Sequence, residues 1–254
     1  MIKYITSLYL LSALYCAAQI PSAPIPLSIA NSMTTNAPAG CGSVGDAVHL
    51  IAWWTTDNNS GVDATGNGNS VAWTGTPSFN TAQVTNGVTL NGTTQFGSLN
   101  NGSLSTIPTV LTLMCWINTS ATGGEVLSAN PFNDWEFCIN EGSTGGGSQS
   151  GEPCFFNSSS WATCSSTINS GTWHHIAVSN DGTNTKFYID GSLINTVAQG
   201  AVNTGSGNGL GIGCRPGGSV LLAGSLDDIR IYSVVESGSF ILSVYNAGLG
   251  NCPG

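Results

Sequence analysis

The acids that could work as a pair are few. Glu136 and Glu141 lie five residues apart, and Asp227 and Asp228 are adjacent. Glycoside hydrolysis needs two carboxyls facing each other about 5–9 Å apart. Adjacent residues of a strand point to opposite faces, so Asp227 and Asp228 are not expected to form such a pair. The same rule separates His174 from His175, which cannot share one metal ion and read instead as packed, hydrogen-bonded histidines. Serine is abundant, but no Gly-x-Ser-x-Gly elbow leads from a strand into a helix. A non-catalytic protein is the expectation.

Cysteine chemistry is better represented. Eight cysteines stand at 16, 41, 115, 138, 154, 164, 214 and 252. In an exported protein most of these are expected in disulfides. Cys41 and Cys252 bracket the candidate domain and are expected to pair. Cys154 and Cys164 flank the turn-like run 157–160 and would staple a hairpin, which leaves Cys138 for Cys214. Cys115 is the expected free thiol, because it alternates in phase with Leu111, Leu113 and Ile117. No Cys-x-x-Cys pair suggests a zinc site. Five Asn-x-Ser/Thr sequons, at Asn58, Asn91, Asn101, Asn118 and Asn157, permit N-glycosylation. Ser and Thr are so frequent that this many is expected by chance. Trp161, in a polar loop, is the tryptophan best placed to stack on a sugar ring; most others read as core.

The elements that must carry these residues are short apolar runs broken by turns. Strands are expected over 47–54, 88–96, 109–118, 135–139, 154–157, 161–163, 173–179, 185–189, 193–197, 209–212 and 225–232. Asn180-Asp181-Gly182 and Asp190-Gly191 are hairpin signals. Helical periodicity appears only weakly, over 237–245. Many strands without intervening helices indicate a two-sheet antiparallel sandwich over 41–254.

Ahead of that domain, Lys3 followed by apolar residues 5–17 reads as a signal peptide, residues 1–18, with cleavage before Gln19. The apolar run is too short for a membrane span of about 20 residues. Residues 19–40 contain Pro21, Pro24, Pro26 and Pro38, which rule out a helix or a central strand. Between the prolines stand Ile20, Ile25, Leu27 and Ile29. Two readings remain open: a leader, or an arm that docks on a neighbouring copy.

Composition excludes several functions. Charged residues make up 7% of the chain, against about 25% in ordinary globular proteins. Lys3 aside, the cations are Lys186, Arg215 and Arg230, set against 13 acids. Three isolated cations cannot form a patch for nucleic acid or an anionic membrane.

Four segments, in order, carry a resemblance: DNNSGVDATGNGNSVAWTG from Asp57, LTLMCWINTS from Leu111, GTWHHIAVSNDGTNTKFYIDGSLI from Gly171 and GSLDDIRIYSVV from Gly224. Together they resemble the laminin-G-like, concanavalin A-like jelly-roll family over roughly residues 41–247. The resemblance implies a jelly roll whose common roles are adhesion, glycan binding and extracellular assembly. The Glu-x-Asp-x-x-Glu signature of its glycosidases is absent. Its members often hold a structural Ca²⁺ at the rim, and Asp63, Asn67, Asn69 and Asp227 would supply oxygens for one here. Asp227 is read in phase with Ile229 and Ile231, facing the core. The alternative is that Asp63 and Asp227 cap backbone N–H groups. Two functions are implied. One is a structural or adhesive subunit that assembles extracellularly into filaments or a surface layer, its partners being copies of itself. The other is a lectin-like module that binds extracellular glycans, with calcium if the rim site is real.

Overall fold

The computed structural model describes residues 46–57, 59–99, 104, 109–129, 134–140, 150–203 and 209–250. The expected signal peptide, the expected arm with Ile20, Ile25, Leu27 and Ile29, Cys41, Cys252, Asn58 and Asn101 lie outside these residues.

Two antiparallel sheets face each other. The first contains eight strands: β1 (Leu50–Trp54), β3 (Ser78–Thr81), β4 (Asn86–Asn91), β6 (Leu111–Asn118), β11 (Trp173–Asn180), β12 (Asn184–Ile189), β13 (Ser192–Ala198) and β15 (Ala223–Tyr232). Its order is β13-β12-β11-β6-β15-β4-β3, with β1 also pairing β15. The second contains β2 (Ala72–Thr74), β5 (Phe96–Leu99), β7 (Gly124–Ser128), β8 (Glu136–Ile139), β9 (Pro153–Phe156), β10 (Trp161–Thr163) and β14 (Leu210–Ile212). Its order is β10-β9-β8-β7-β14-β5-β2. The inner faces share one core, in which Leu111, Leu113, Cys115 and Ile117 of β6 meet Phe137 of β8 and Phe155 of β9. This is the two-layer solution expected of strands with one apolar face.

The hairpins obey their turn residues. Asp190 and Gly191 both take positive φ, 51° and 75°, as a two-residue type I′ turn between β12 and β13 requires. Asp181 Oδ1 accepts from the N–H groups of Thr183 and Asn184 in the turn between β11 and β12. The run expected as one strand over 88–96 is two: Asn91 Oδ1 accepts from the N–H groups of Thr93, Thr94 and Gln95 and turns the chain between β4 and β5. The expected strands do not include β2, β3 and β7.

Among the described residues, one helix, α1 (Gly238–Gly248), comes after β15. Ser237 caps it by accepting from Phe240 N–H at 3.1 Å. Its buried stripe, Ile241, Val244 and Ala247, lies on the outer face of the eight-stranded sheet. There Ile241 and Val244 pack with Trp53, Met114, Tyr188 and Tyr232. A Cβ at Gly248 would come within 2.5 Å of Trp116 Nε1, so glycine lets the helix end seat on the indole. No described helix is long and apolar enough to cross a membrane.

The alternation expected in the last strand is reset. The β15–β6 register shifts between Asp227 and Arg230, with Asp228 at φ 50°. Such a bulge adds one residue to one side of a ladder. Leu226, Ile229 and Ile231 therefore all reach the core, and Asp227 does not share the phase of the two isoleucines. Asp228 meets Trp53 Nε1 and Arg230 Nε on the outer side.

Candidate functional site

The two outer faces carry different chemistry. On the eight-stranded sheet, His175 lies opposite Trp116 and under Tyr245 of α1. Burial pulls its imidazole down to about 4, and neither ring nitrogen has a partner among the described residues. His174, one residue away, bonds Asp190 Oδ2 at 2.9 Å through Nδ1. The two histidines thus occupy separate environments, as strand alternation requires, although His175 lacks the expected hydrogen bond.

On the seven-stranded sheet, register aligns one row across all the strands. Trp161 pairs with Phe156, Phe156 with Glu136, Glu136 with Ser128, Ser128 with Gly211, Gly211 with Ser98, and Ser98 with Ala72. Phe155 and Ala162 point into the core, which turns Phe156 and Trp161 outward. The row runs from aromatic through acidic to small residues. At about 4.8 Å per strand it is roughly 29 Å long.

At its aromatic end, the half-buried rings of Phe156 and Trp161 lie 4.8 Å apart at 35°. The turn behind them is tied down. Asn157 Oδ1 accepts from Ser159 and Ser160 N–H, and Ser160 O accepts from Gln199 Nε2 at 2.7 Å. Trp161 is therefore presented on a braced turn.

In the middle, Glu136 meets Arg215. The guanidinium donates to Glu136 Oε2 from Nη2 at 2.8 Å and from Nε at 3.1 Å, and its Nε lies 3.2 Å from Glu125 Oε1. Arg215 is aimed by the turn after it. Its N–H donates to Ser219 O, and Gly217 and Gly218 adopt φ of 92° and 80°, which glycine enters without strain. Burial, and then the neighbouring Glu136, hold the Glu125 carboxyl well above the usual carboxylate range. A hydrogen bond between the two carboxyls adds to that rise. Both carboxyls converge on one Nε–H. They do not flank the gap that a glycosidic oxygen would need.

The disulfide differs from expectation. Cys138 bonds Cys154, its direct partner across β8 and β9 on this same outer face. The expected Cys154–Cys164 and Cys138–Cys214 pairs do not form; Cys164 and Cys214 are free and buried. The physical reason is register. Cys164 comes directly after Thr163, the β10 residue opposite Cys154, so its side chain turns to the core. Cys115 is free and buried, in phase with the core residues of β6. Burial pushes the Cys164 and Cys214 thiols up to about 12.

The residues expected to hold calcium are hydrogen-bonded within the fold, with Asn69 Oδ1 and Asp227 Oδ1 buried without a partner among the described residues. Asp63 is filled by donors: Oδ1 accepts from Trp53 N–H, Thr65 N–H and Thr65 Oγ1, and Oδ2 from Asn69 N–H. It is a loop cap. The amide nitrogens of Asn67 and Asn69 donate to Ile51 O. Asp227 has other company: Oδ2 accepts from Val84 N–H at 2.6 Å, and burial, then Asp228, raise it to about 8. Among the sequons, Asn157 is 1% exposed and donates its Nδ2 to Gly200 O at 3.0 Å, so the nitrogen that would carry a glycan is committed inside the fold. Asn118 sits mid-sheet between Trp173 and Ser225. Asn91 is exposed.

Sequence reasoning found Trp161 and missed Phe156 as its neighbour, and Glu125 and Arg215 farther along the same sheet. Glu125 and Glu136 are eleven residues apart and meet only through the β7–β8 register. The available signal was the scarcity of cations: each of the few in so acidic a chain is expected to have a dedicated acid.

No curated protein matches the chain. Solved structures do. Domain 4 of AbnA, a GH43 extracellular arabinanase from Geobacillus stearothermophilus, in complex with arabinotriose, aligns with a TM-score of 0.63 at 21% identity, covering 78% of this chain and 98% of that one. The binding domain of Botulinum Neurotoxin DC in complex with SialylT aligns with a TM-score of 0.61 at 14% identity, covering 81% and 52%. The binding domain of Paraclostridial Mosquitocidal Protein 1 gives 0.58 at 13%, covering 79% and 52%. The chain thus spans about half the length of these two toxin binding domains. At such identities the likeness is one of fold. A laminin-G family profile described as the Concanavalin A-like lectin/glucanases superfamily matches residues 91–241. On that match and this two-sheet architecture, the chain belongs to the laminin-G-like branch of the Concanavalin A-like lectin/glucanases superfamily.

Proposed function

We propose that the chain is an exported, non-catalytic glycan-binding module whose ligand lies along the outer face of the seven-stranded sheet, stacked on Trp161 and Phe156. The observation that carries this reading is the aromatic pair, half-buried, braced from behind and next in register to Glu136. Apolar faces of sugar rings stack on such surfaces, while acids and amides take their hydroxyls. Similar folds in complex with arabinotriose and SialylT support it. Convergence of Glu125 and Glu136 on Arg215 favours binding over hydrolysis. A glycan array probed with the native chain and with Trp161→Ala tests the proposal. Saturable native binding, weakened about tenfold in the variant, is expected. No binding to any glycan by the folded native chain would remove it.

One observation favours a second reading, the self-assembling subunit. β13 is an edge strand, and its Leu193 and Ile194 are 53% and 38% exposed. An edge with open backbone groups and apolar side chains is a template for an added strand. The apolar arm of a second copy would be that strand. Deleting residues 19–37 should then abolish polymers seen by electron microscopy and leave the domain folded. Polymers that persist would exclude the arm.

A further inference from the structure

We infer that this face selects against anionic sugars and takes neutral or amino-bearing glycans. The inference rests on the glycan-binding reading and adds the ligand's charge class to it. The whole sequence holds four cationic side chains, of which Lys3 lies in the signal peptide. Lys186 is on β12, in the other sheet, beside Asp181. Arg230 is 7% exposed, bonded to Asp228 at 2.9 Å and seated over the Trp53 ring at 4.7 Å on the far side of the sandwich. That leaves Arg215 as the cation of the seven-stranded face, and it is enclosed by two carboxyls, Glu136 at 2.8 Å and Glu125 at 3.2 Å.

A sialic or uronic carboxylate arriving at Trp161 therefore meets no uncommitted guanidinium. It meets a cluster of two acids and one base, in a chain of net charge −9. A carboxylate that loses water without gaining a cation is strongly disfavoured. Hydroxyl and ammonium groups face the opposite situation. They need no cation: the Glu136–Arg215 pair and the Glu125 carboxyl beside it, in a chain with 13 acids, set no like charge against them. Arg215 thus acts as a positioning residue: it holds the two acids and is not offered to the ligand.

The test is binding of the native chain to neutral or amino-bearing glycans set against anionic ones. Lactose is set against sialyllactose, and chitosan oligosaccharides against oligogalacturonates, each at low and physiological salt. At least a tenfold preference for the neutral or amino member is expected, larger at low salt because screening is weaker. The folded Glu125→Gln/Glu136→Gln variant, checked by thermal unfolding, takes both carboxylates away from Arg215 and should shrink that gap at least threefold. Equal or tighter binding of the anionic members by the native chain overturns the selectivity and leaves glycan binding standing. An unchanged gap in the folded double variant overturns the assigned cause. Silence on every glycan by the folded native chain overturns both proposals.

Discussion

The two outer faces of the sandwich are built from similar strands and end in opposite states. On the eight-stranded sheet, Trp53, Trp116 and Tyr232 lie beneath α1, and even an imidazole is held there without a hydrogen-bond partner among the described residues. On the seven-stranded sheet, Trp161 and Phe156 stand half-buried, in register with the Glu136–Arg215 ion pair. One face uses its aromatic residues for stability. The other presents them. The difference lies in the next element along the chain: β15 runs into a capped helix, whereas β9 runs into a tight turn braced by Gln199. Tryptophan content alone therefore says little about binding; the covering element decides.

The largest expected effect is on the sealed face. Trp116→Ala removes a ring that is 1% exposed and stacked on Tyr245. It should cost about 3–5 kcal/mol of stability by chemical denaturation. The fraction that remains folded should bind glycan as the native chain does. Next comes the disulfide across the open face, where Cys138→Ser/Cys154→Ser opens a bridge between residues 16 apart. The loss should be about 3 kcal/mol, from freedom restored to the unfolded chain. A smaller loss would mean that the β8–β9 ladder holds the presenting strand unaided.

Acidification acts on the eight-stranded sheet through two groups of opposite sign. His175 is held at about 4, below its ordinary 6.5, so it binds its proton more readily unfolded. Its contribution is complete above pH 6.5 and is lost as the pH falls toward 4. Asp227, raised from 3.8 to about 8, acts with the opposite sign: its contribution is complete below 3.8 and lost as the pH rises through 8. Between pH 7 and 4.5, His175→Gln should therefore lose about 2–3 kcal/mol less stability than the native chain. An identical pH profile for the two would show that His175 is not buried neutral. The smallest effect on stability belongs to the open face. Trp161→Ala should weaken glycan binding about tenfold, roughly 1.4 kcal/mol, and change thermal stability little.

Much of this architecture was legible in residue order. The Asp181-Gly182 and Asp190-Gly191 turns, the phase of Cys115 and the sandwich itself arise from local rules. What was not legible depended on register. β7 is five residues long and begins at a glycine with φ 140°, too short a signal to stand out. Without it Glu125 has no neighbour, and the pair with Glu136 stays hidden. The Cys138–Cys154 bridge likewise requires knowing that β8 and β9 align those two positions. The bulge at Asp228 defeated a period-2 reading of Asp227, because aspartate there looks like any other strand residue until its φ is known. Trp161 was found because a polar turn flanks it, and that context survives folding.

The central claim is that glycan binding belongs to the open face and not to the sealed one. Fluorotryptophan NMR on the full chain, titrated with a neutral oligosaccharide that it binds on an array, tests this most directly. The account predicts that the Trp161 resonance, assigned through Trp161→Phe, shifts in a saturable way while that of Trp116 does not move. A shift at Trp116 with Trp161 silent would contradict it.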